Sequence, residues 1–382
     1  MKNDTLLSLA VLIQLMAVTF QLMLPIIGYG TEESAAKLRV LITVLTYAPA
    51  AYVLFLRKWY AVIYPFGFYF FILALHFVLF PASHTFIESS SSITLTPISI
   101  LTAVFICNIK DIEIFKKWLL LCSRLYVILA AIYIWAFFYF PKDNNASSYS
   151  MAFGYASLLP CMFLFAQKKT WDILLSVILL IFILFVGSRG PLAVIGVFFV
   201  VHFFFLPARQ KLWLAIIIAF IVIICGVYLI EYVDLEASRN IRTFMSGEAS
   251  DHSTREDLYE SAELLISDSP FFGWGIGADR ELLGAYCHSI FYEITLHYGL
   301  IFSMSFFLIM AIISVRNLFQ KKIKYNGGKE FYIMLFIYGF VPMVVSGSYL
   351  IDFKFAILIG YLFRFLSPII PKRRVEYYVS LN

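Results

Sequence analysis

Apolar residues fall in long unbroken runs along this chain, and polar and charged residues collect in the short gaps between them. A run of about 20 apolar residues spans the roughly 30 Å hydrocarbon core of a bilayer as a helix. The pattern predicts such helices over Leu6–Ile27, Arg39–Leu56, Tyr60–Phe80, Ile93–Ile109, Trp118–Phe140, Met151–Ala166, Trp171–Val186, Pro191–Leu206, Leu212–Ile230, Ser289–Val315, Phe331–Ser348 and Phe353–Ile370. The expected architecture is an all-α polytopic membrane protein of about twelve transmembrane helices. Residues 1–382 form one membrane domain. One long connection, residues 231–287, joins spans 9 and 10.

Composition supports that picture. Charged residues make up 14% of the chain and hydrophobic ones 62%, whereas soluble domains carry about a quarter charged residues. Such a chain has too little polar surface to coat a soluble globule. Aromatics reach 18%, and many Tyr and Trp stand near run ends, where amphipathic rings anchor at the interface. The first run is too long for a signal peptide and lacks a small-residue cleavage site, so it is expected to be a retained helix.

The basic residues alternate between the two sets of connections. Lys2, Arg57, Lys58, Lys110, Lys116, Lys117, Lys168, Lys169, Arg209, Lys211, Arg316, Lys321, Lys322, Lys324, Lys329, Lys372, Arg373 and Arg374 fall on one side. Fewer than half as many fall on the other: Lys37, Arg39, Lys142, Arg189, Arg239, Arg242, Arg255 and Arg280. The positive-inside rule puts the first set and both termini in the cytoplasm. The net charge of +5 thus reflects topology and gives no reason to expect nucleic acid. Four of the five cysteines (Cys107, Cys122, Cys161, Cys225, Cys287) lie inside apolar runs, with neither a disulfide nor a metal spacing.

The long outer connection is composed like a structured element. Ser253-Thr254-Arg255-Glu256 reads as a capping box, with Ser253 as N-cap and Glu256 at N3. Leu258, Ala262 and Leu265 recur at helical spacing, which predicts a short amphipathic helix over 254–266. Arg255 then lies beside free backbone N–H groups, a pairing suited to an anion. The helix should stop by Ser269, before Pro270. Gly273, Gly275 and Gly277 then permit tight turns and close backbone approach.

Cys287-His288-Ser289 leads into the next span, and Gly187-Ser188-Arg189-Gly190-Pro191 makes a tight turn on the same side. Arg189, Arg255 and His288 therefore share one predicted face. Two fixed cations and one imidazole suit a reaction between a hydroxyl nucleophile and a pyrophosphate leaving group. Singly, each has a plainer reading: a snorkelling interfacial Arg, a solvated helix Arg, an ordinary interfacial His. Arg239, Arg242, Arg280 and Trp274 are secondary candidates for glycan or phosphate binding. No carboxylate or His cluster with metal-ligand spacing stands out, so no metal is expected.

Three features resemble the O-antigen polymerase and ligase family of bacterial envelope glycan enzymes. They are Ser188-Arg189-Gly190 at a helix start, Arg255 at the start of a loop helix, and Ser269-Pro270-Phe271-Phe272-Gly273-Trp274-Gly275-Ile276-Gly277 followed by His288-Ser289-Ile290-Phe291-Tyr292-Glu293. Tyr298-Gly299-Leu300 fits the tail of that pattern, and the similarity covers about Leu184 to Ile313. Ser289 departs from it, since family members often carry Asn there. The resemblance implies a GT-C-like glycosyltransferase of the bacterial inner membrane, with no cofactor and no metal. Its donor would be an undecaprenyl-pyrophosphate-linked oligosaccharide, bound on the periplasmic face among membrane lipid. Arg189 and Arg255 would neutralise the pyrophosphate, and His288 would orient or deprotonate the acceptor hydroxyl. A chain-length regulator protein is the implied protein partner. Polymerase is the favoured reading and ligase the alternative. A flippase of lipid-linked sugars is a reading of another class, disfavoured because Arg124, Lys354 and Arg364 are expected near span ends rather than along a transport path.

Overall fold

A computed structural model describes residues 2–29, 31–139, 150–186, 189–205, 252–319 and 328–364. Those residues are helical, with no strand among them. The helices are α1 (Lys2–Ile26), α2 (Glu32–Leu79), α3 (His84–Glu88), α4 (Thr96–Asn108), α5 (Ile112–Tyr139), α6 (Met151–Ala166), α7 (Thr170–Phe185), α8 (Arg189–Phe205), α9 (His252–Asp268), α10 (Ala278–Leu282), α11 (Ile290–Phe319), α12 (Gly328–Val345) and α13 (Phe353–Arg364). Among the described residues, six apolar helical stretches are long enough to cross a membrane, and three shorter apolar helices join them. This is a multi-pass membrane protein. The predicted span Leu212–Ile230 lies outside the described residues.

The second and third predicted spans run together in α2. At Lys58 the backbone leaves helical geometry (φ −148°, ψ 62°), so the expected loop is reduced to a one-residue kink. The Lys58 ammonium donates to Asn108 Oδ1 at the end of α4 (3.3 Å). Tyr52, Tyr64, Phe68, Phe71 and Val78 on α2, Ile128 and Trp135 on α5, and Ile301 and Met304 on α11 are exposed. In a bilayer such faces meet acyl chains, which resolves an exposure that water would penalise.

The core forms where α1 packs on α2 and α5, α6 on α5 and α7, and α4 on α13. The short α6 is its centre, buried almost throughout from Phe153 to Phe165. Several polar groups inside are paired: Tyr126 bonds Thr19 (2.7 Å) and Ser157 (3.0 Å), and Tyr47 bonds Thr102 (2.7 Å). Arg124 of α5 makes a two-pronged ion pair with the buried Asp172 in the first turn of α7 (2.8 and 3.0 Å), which puts it level with the start of that helix. That geometry gives the buried carboxylate a counter-charge.

A short excursion separates α2 from α4. Phe80 leaves the helix, Pro81–Ser83 makes one tight turn, and α3 follows. A π-helical turn, Ser91–Leu95, leads into α4. This excursion supports the long loop.

Candidate active site

The loop after α9 is clamped onto α11 through a break in that helix. At Gly299 the backbone adopts φ 78°, ψ 173°, a conformation reserved for glycine. The break diverts backbone partners. Leu300 N–H donates to Pro270 O (2.7 Å), while Trp274 N–H donates to Leu296 O (2.8 Å) and Gly275 N–H to His297 O (3.0 Å). A side chain on Gly275 (φ 98°) would run into Phe80 and Ser83 of the excursion. The alternate glycines thus allow the close approach that their spacing predicts. Ile276 N–H donates to Nδ1 of His76 in α2 (2.9 Å), and Thr85 of α3 bonds Glu281 of α10.

Beneath the loop lies a buried ionic network. Asp279 and Glu293 both bond the Arg280 guanidinium, the latter at 3.0 Å. Asp279 also accepts from the Cys287 N–H (3.1 Å) and bonds Nε2 of His297 (2.9 Å), whose Nδ1 meets the Tyr349 hydroxyl (2.9 Å). Glu293 accepts from the Ser348 hydroxyl (2.5 Å) and the Tyr349 N–H (3.1 Å), and Arg280 donates to Ser348 (2.7 Å). Burial pushes the Asp279 carboxyl up, but the His297 ring and the Arg280 guanidinium outweigh it and hold the group at about 2. Burial pulls Arg280 down, and Asp279 and Glu293 more than restore it.

The network fixes two backbone segments. Asp279 holds the residue before His288, and Glu293 holds the turn after α12. Ligand atoms of Asp279, Glu293 and His297 lie within 4.8 Å of one another, a set able to hold a cation. The sequence reading found no such cluster. Glu293 and His297 share one face of α11 at i and i+4 spacing, which was a legible signal; Asp279 joins them only through the fold. Here the Arg280 guanidinium bridges the two carboxylates.

His288 stands at the loop's end with φ 54°, the left-handed region that side-chain-bearing residues rarely adopt. Its ring lies 4.1 Å from that of Tyr286. Nδ1 is buried without a hydrogen-bond partner among the described residues. Burial lowers the imidazole pKa, and the Arg255 cation lowers it further against the opposing pull of the Ser346 backbone and Asp279.

Arg255 is exposed on α9, and its Nη1 approaches Val345 O at the end of α12 (3.4 Å). The described helix already includes His252 and Ser253, so Ser253 is not its N-cap; the helix also continues past residue 266, to Asp268. Arg189 is exposed at the start of α8. Its neighbour Gly190 packs against the Tyr155 hydroxyl, which bonds Ser346 Oγ (2.6 Å). Arg255 and His288 therefore meet at the Val345–Ser346 turn, and Arg189 begins the helix whose Gly190 packs on the Tyr155 that bonds this turn.

Residues 174–307 match the family model described as O-antigen ligase. The match covers about a third of the chain and supports its resemblance to the O-antigen polymerase and ligase family. No curated protein matches the chain. The family supports an O-antigen ligase or polymerase type of function, in a glycosyltransferase-like class of enzyme.

The O-antigen ligase match contains Arg189, Arg255 and His288 together with Asp279, Arg280, Glu293 and His297. The secondary candidates fare differently. Trp274 donates from Nε1 to Leu265 O (2.7 Å), tying the loop to α9. Arg280 is bound up in the buried network. Arg239 and Arg242 lie outside the described residues. Beside the site opens a cavity of about 700 Å³, bounded by Tyr155, Tyr286, Ser346 and Lys354 on the site side and by α1, α2 and α4 opposite. Those three helices precede the matched region.

Proposed function

We propose that this protein is an O-antigen-type polysaccharide polymerase of the bacterial inner membrane, which transfers an undecaprenyl-pyrophosphate-linked glycan to a lipid-linked repeat unit on the periplasmic face. The meeting of Arg255 and His288 at the Val345–Ser346 turn, beside a cavity that Ser346 and Tyr286 line, carries the reading.

The chemistry follows from the residue types. The acceptor hydroxyl gives its proton to the neutral His288 imidazole as its oxygen bonds to the donor's anomeric carbon. The bond from that carbon to the pyrophosphate oxygen breaks, and the electron pair leaves with the undecaprenyl pyrophosphate. Arg189 and Arg255 meet the charge that develops there, the guanidinium fork matching two phosphate oxygens. The depressed pKa of His288 keeps the proton-accepting form available at neutral pH.

The test is the surface glycan ladder of a strain deleted for this chain, with and without the chain restored. Collapse to core plus a single repeat supports the polymerase. Loss of all repeats from the core, with polymer accumulating on the lipid carrier, assigns a ligase instead. Lipid-linked repeats retained on the cytoplasmic face would overturn the enzyme reading in favour of a flippase.

A further inference from the structure

Three charged side chains line the cavity: Arg39, Asp352 and Lys354. Two of them neutralise each other. The Lys354 ammonium sits 2.7 Å from Asp352 Oδ2 and 4.7 Å from the centre of the Tyr155 ring. Arg39 is left. It is half-buried on α2, and Nη1 donates to Gln21 Oε1 of α1 (3.2 Å). No carboxylate lies within ion-pairing reach of it among the described residues. A guanidinium carries five N–H donors, so one neutral amide leaves most of its hydrogen-bonding capacity unmet. A cation held without a counter-charge beside apolar side chains such as Val18 and Val40 lowers stability. The space it faces is within the range that encloses small organic ligands, roughly 300–1,000 Å³.

We propose that Arg39 is the seat of an anionic group, a phosphate or a sugar carboxylate, carried by the acceptor substrate. The cavity joins this seat to the reacting centre. Tyr286 lines it and packs on His288, and Ser346 lines it at the turn that Arg255 approaches. Arg189 and Arg255 serve the donor's pyrophosphate from the site side. Arg39 comes from the opposite wall, on α2, outside the matched region. It is thus placed to hold a second anion without competing for the first. That the ligand is an acceptor rests on the transferase reading; that the seat binds an anion does not.

The experiment uses the purified full chain in detergent micelles and two probes, inorganic pyrophosphate and glucuronate. Thermal unfolding midpoints against probe concentration give apparent Kd values for an Arg189→Ala/Arg255→Ala background, which removes the donor's pyrophosphate seat, and for that background with Arg39→Gln or Arg39→Lys added. Without probe, adding Arg39→Gln should not lower the melting midpoint, because it removes a half-buried charge that no described carboxylate pairs. It should weaken one probe about tenfold or more, as loss of a charge-assisted hydrogen bond implies. Arg39→Lys should fall between, keeping the charge and losing the fork. Weakened pyrophosphate identifies a phosphate seat, and weakened glucuronate a carboxylate seat. Affinity for both probes left unchanged by Arg39→Gln overturns the proposal, as does a background that binds neither. Failure of the transferase reading would show separately, as glycan transfer that persists in Arg255→Ala.

Discussion

At the scale of single residues, the account assigns charge stabilisation to Arg189 and Arg255 and proton removal to His288. Arg189→Ala, Arg255→Ala and His288→Ala should each abolish glycan transfer while the protein remains in the membrane, measured by surface ladder and immunoblot together. Lys at either Arg position should restore little, because an ammonium cannot grip two phosphate oxygens. Burial and Arg255 depress the His288 pKa, so its base form persists to lower pH than a free imidazole's. The acid limb of kcat/KM should therefore fall below about pH 6.5, and Arg255→Lys, which keeps the charge, should leave that limb low. Each of the three stands in a short motif beside a span, which is what singles it out in the sequence. The network under them was legible only in part. Glu293 and His297 are one helical turn apart, but Asp279 reaches them from α10 and Ser348 from the turn after α12. Glu293→Gln keeps the shape but leaves Asp279 as the one carboxylate on the Arg280 guanidinium among the described residues. It should destabilise the fold by about 1–3 kcal/mol, read as a lowered urea midpoint in detergent.

At the scale of elements, the site depends on a loop docked by backbone bonds. Gly299 breaks α11, and the freed carbonyls of Leu296 and His297 accept from Trp274 and Gly275. The alternate glycines announced a close approach in the sequence, and the structure names the surfaces: α11 and the excursion after α2. The excursion itself was not legible. Its Pro81 and Ser83 read as an ordinary connection, and its role depends on contact with Ile276 and Gly277, almost 200 residues away. In α9, side-chain periodicity marked the helix but not its ends, since a capping box in sequence does not prevent helix from forming ahead of it. Gly299→Ala should displace the loop: its Cβ would strike the Phe271 carbonyl, and its backbone conformation excludes other residues. Hydrogen exchange at residues 270–277 should rise sharply in that variant while exchange in α1, α5 and α6 stays unchanged.

At the scale of the whole molecule, apolar runs defined the spans well where a charged gap divided them, and less well where the gap closed to a kink, as at Lys58. The sequence predicts α6 as one span among the others, and burial by its neighbours makes it the core of the bundle. Sequence spacing could not show that the front and back halves of the chain enclose one cavity, because that closure comes from packing of α1, α2 and α4 against the turn after α12. The matched region supplies the reacting groups and the front half supplies the opposite wall. The central claim is that Arg189, Arg255 and His288 together drive transfer from a pyrophosphate-linked donor. The most direct test is release of undecaprenyl pyrophosphate from a lipid-linked oligosaccharide by the purified protein, compared among wild type and the three alanine variants. The account predicts release coupled one-to-one with glycan elongation in wild type and none above background in any variant. Full release by any two of the variants would contradict it.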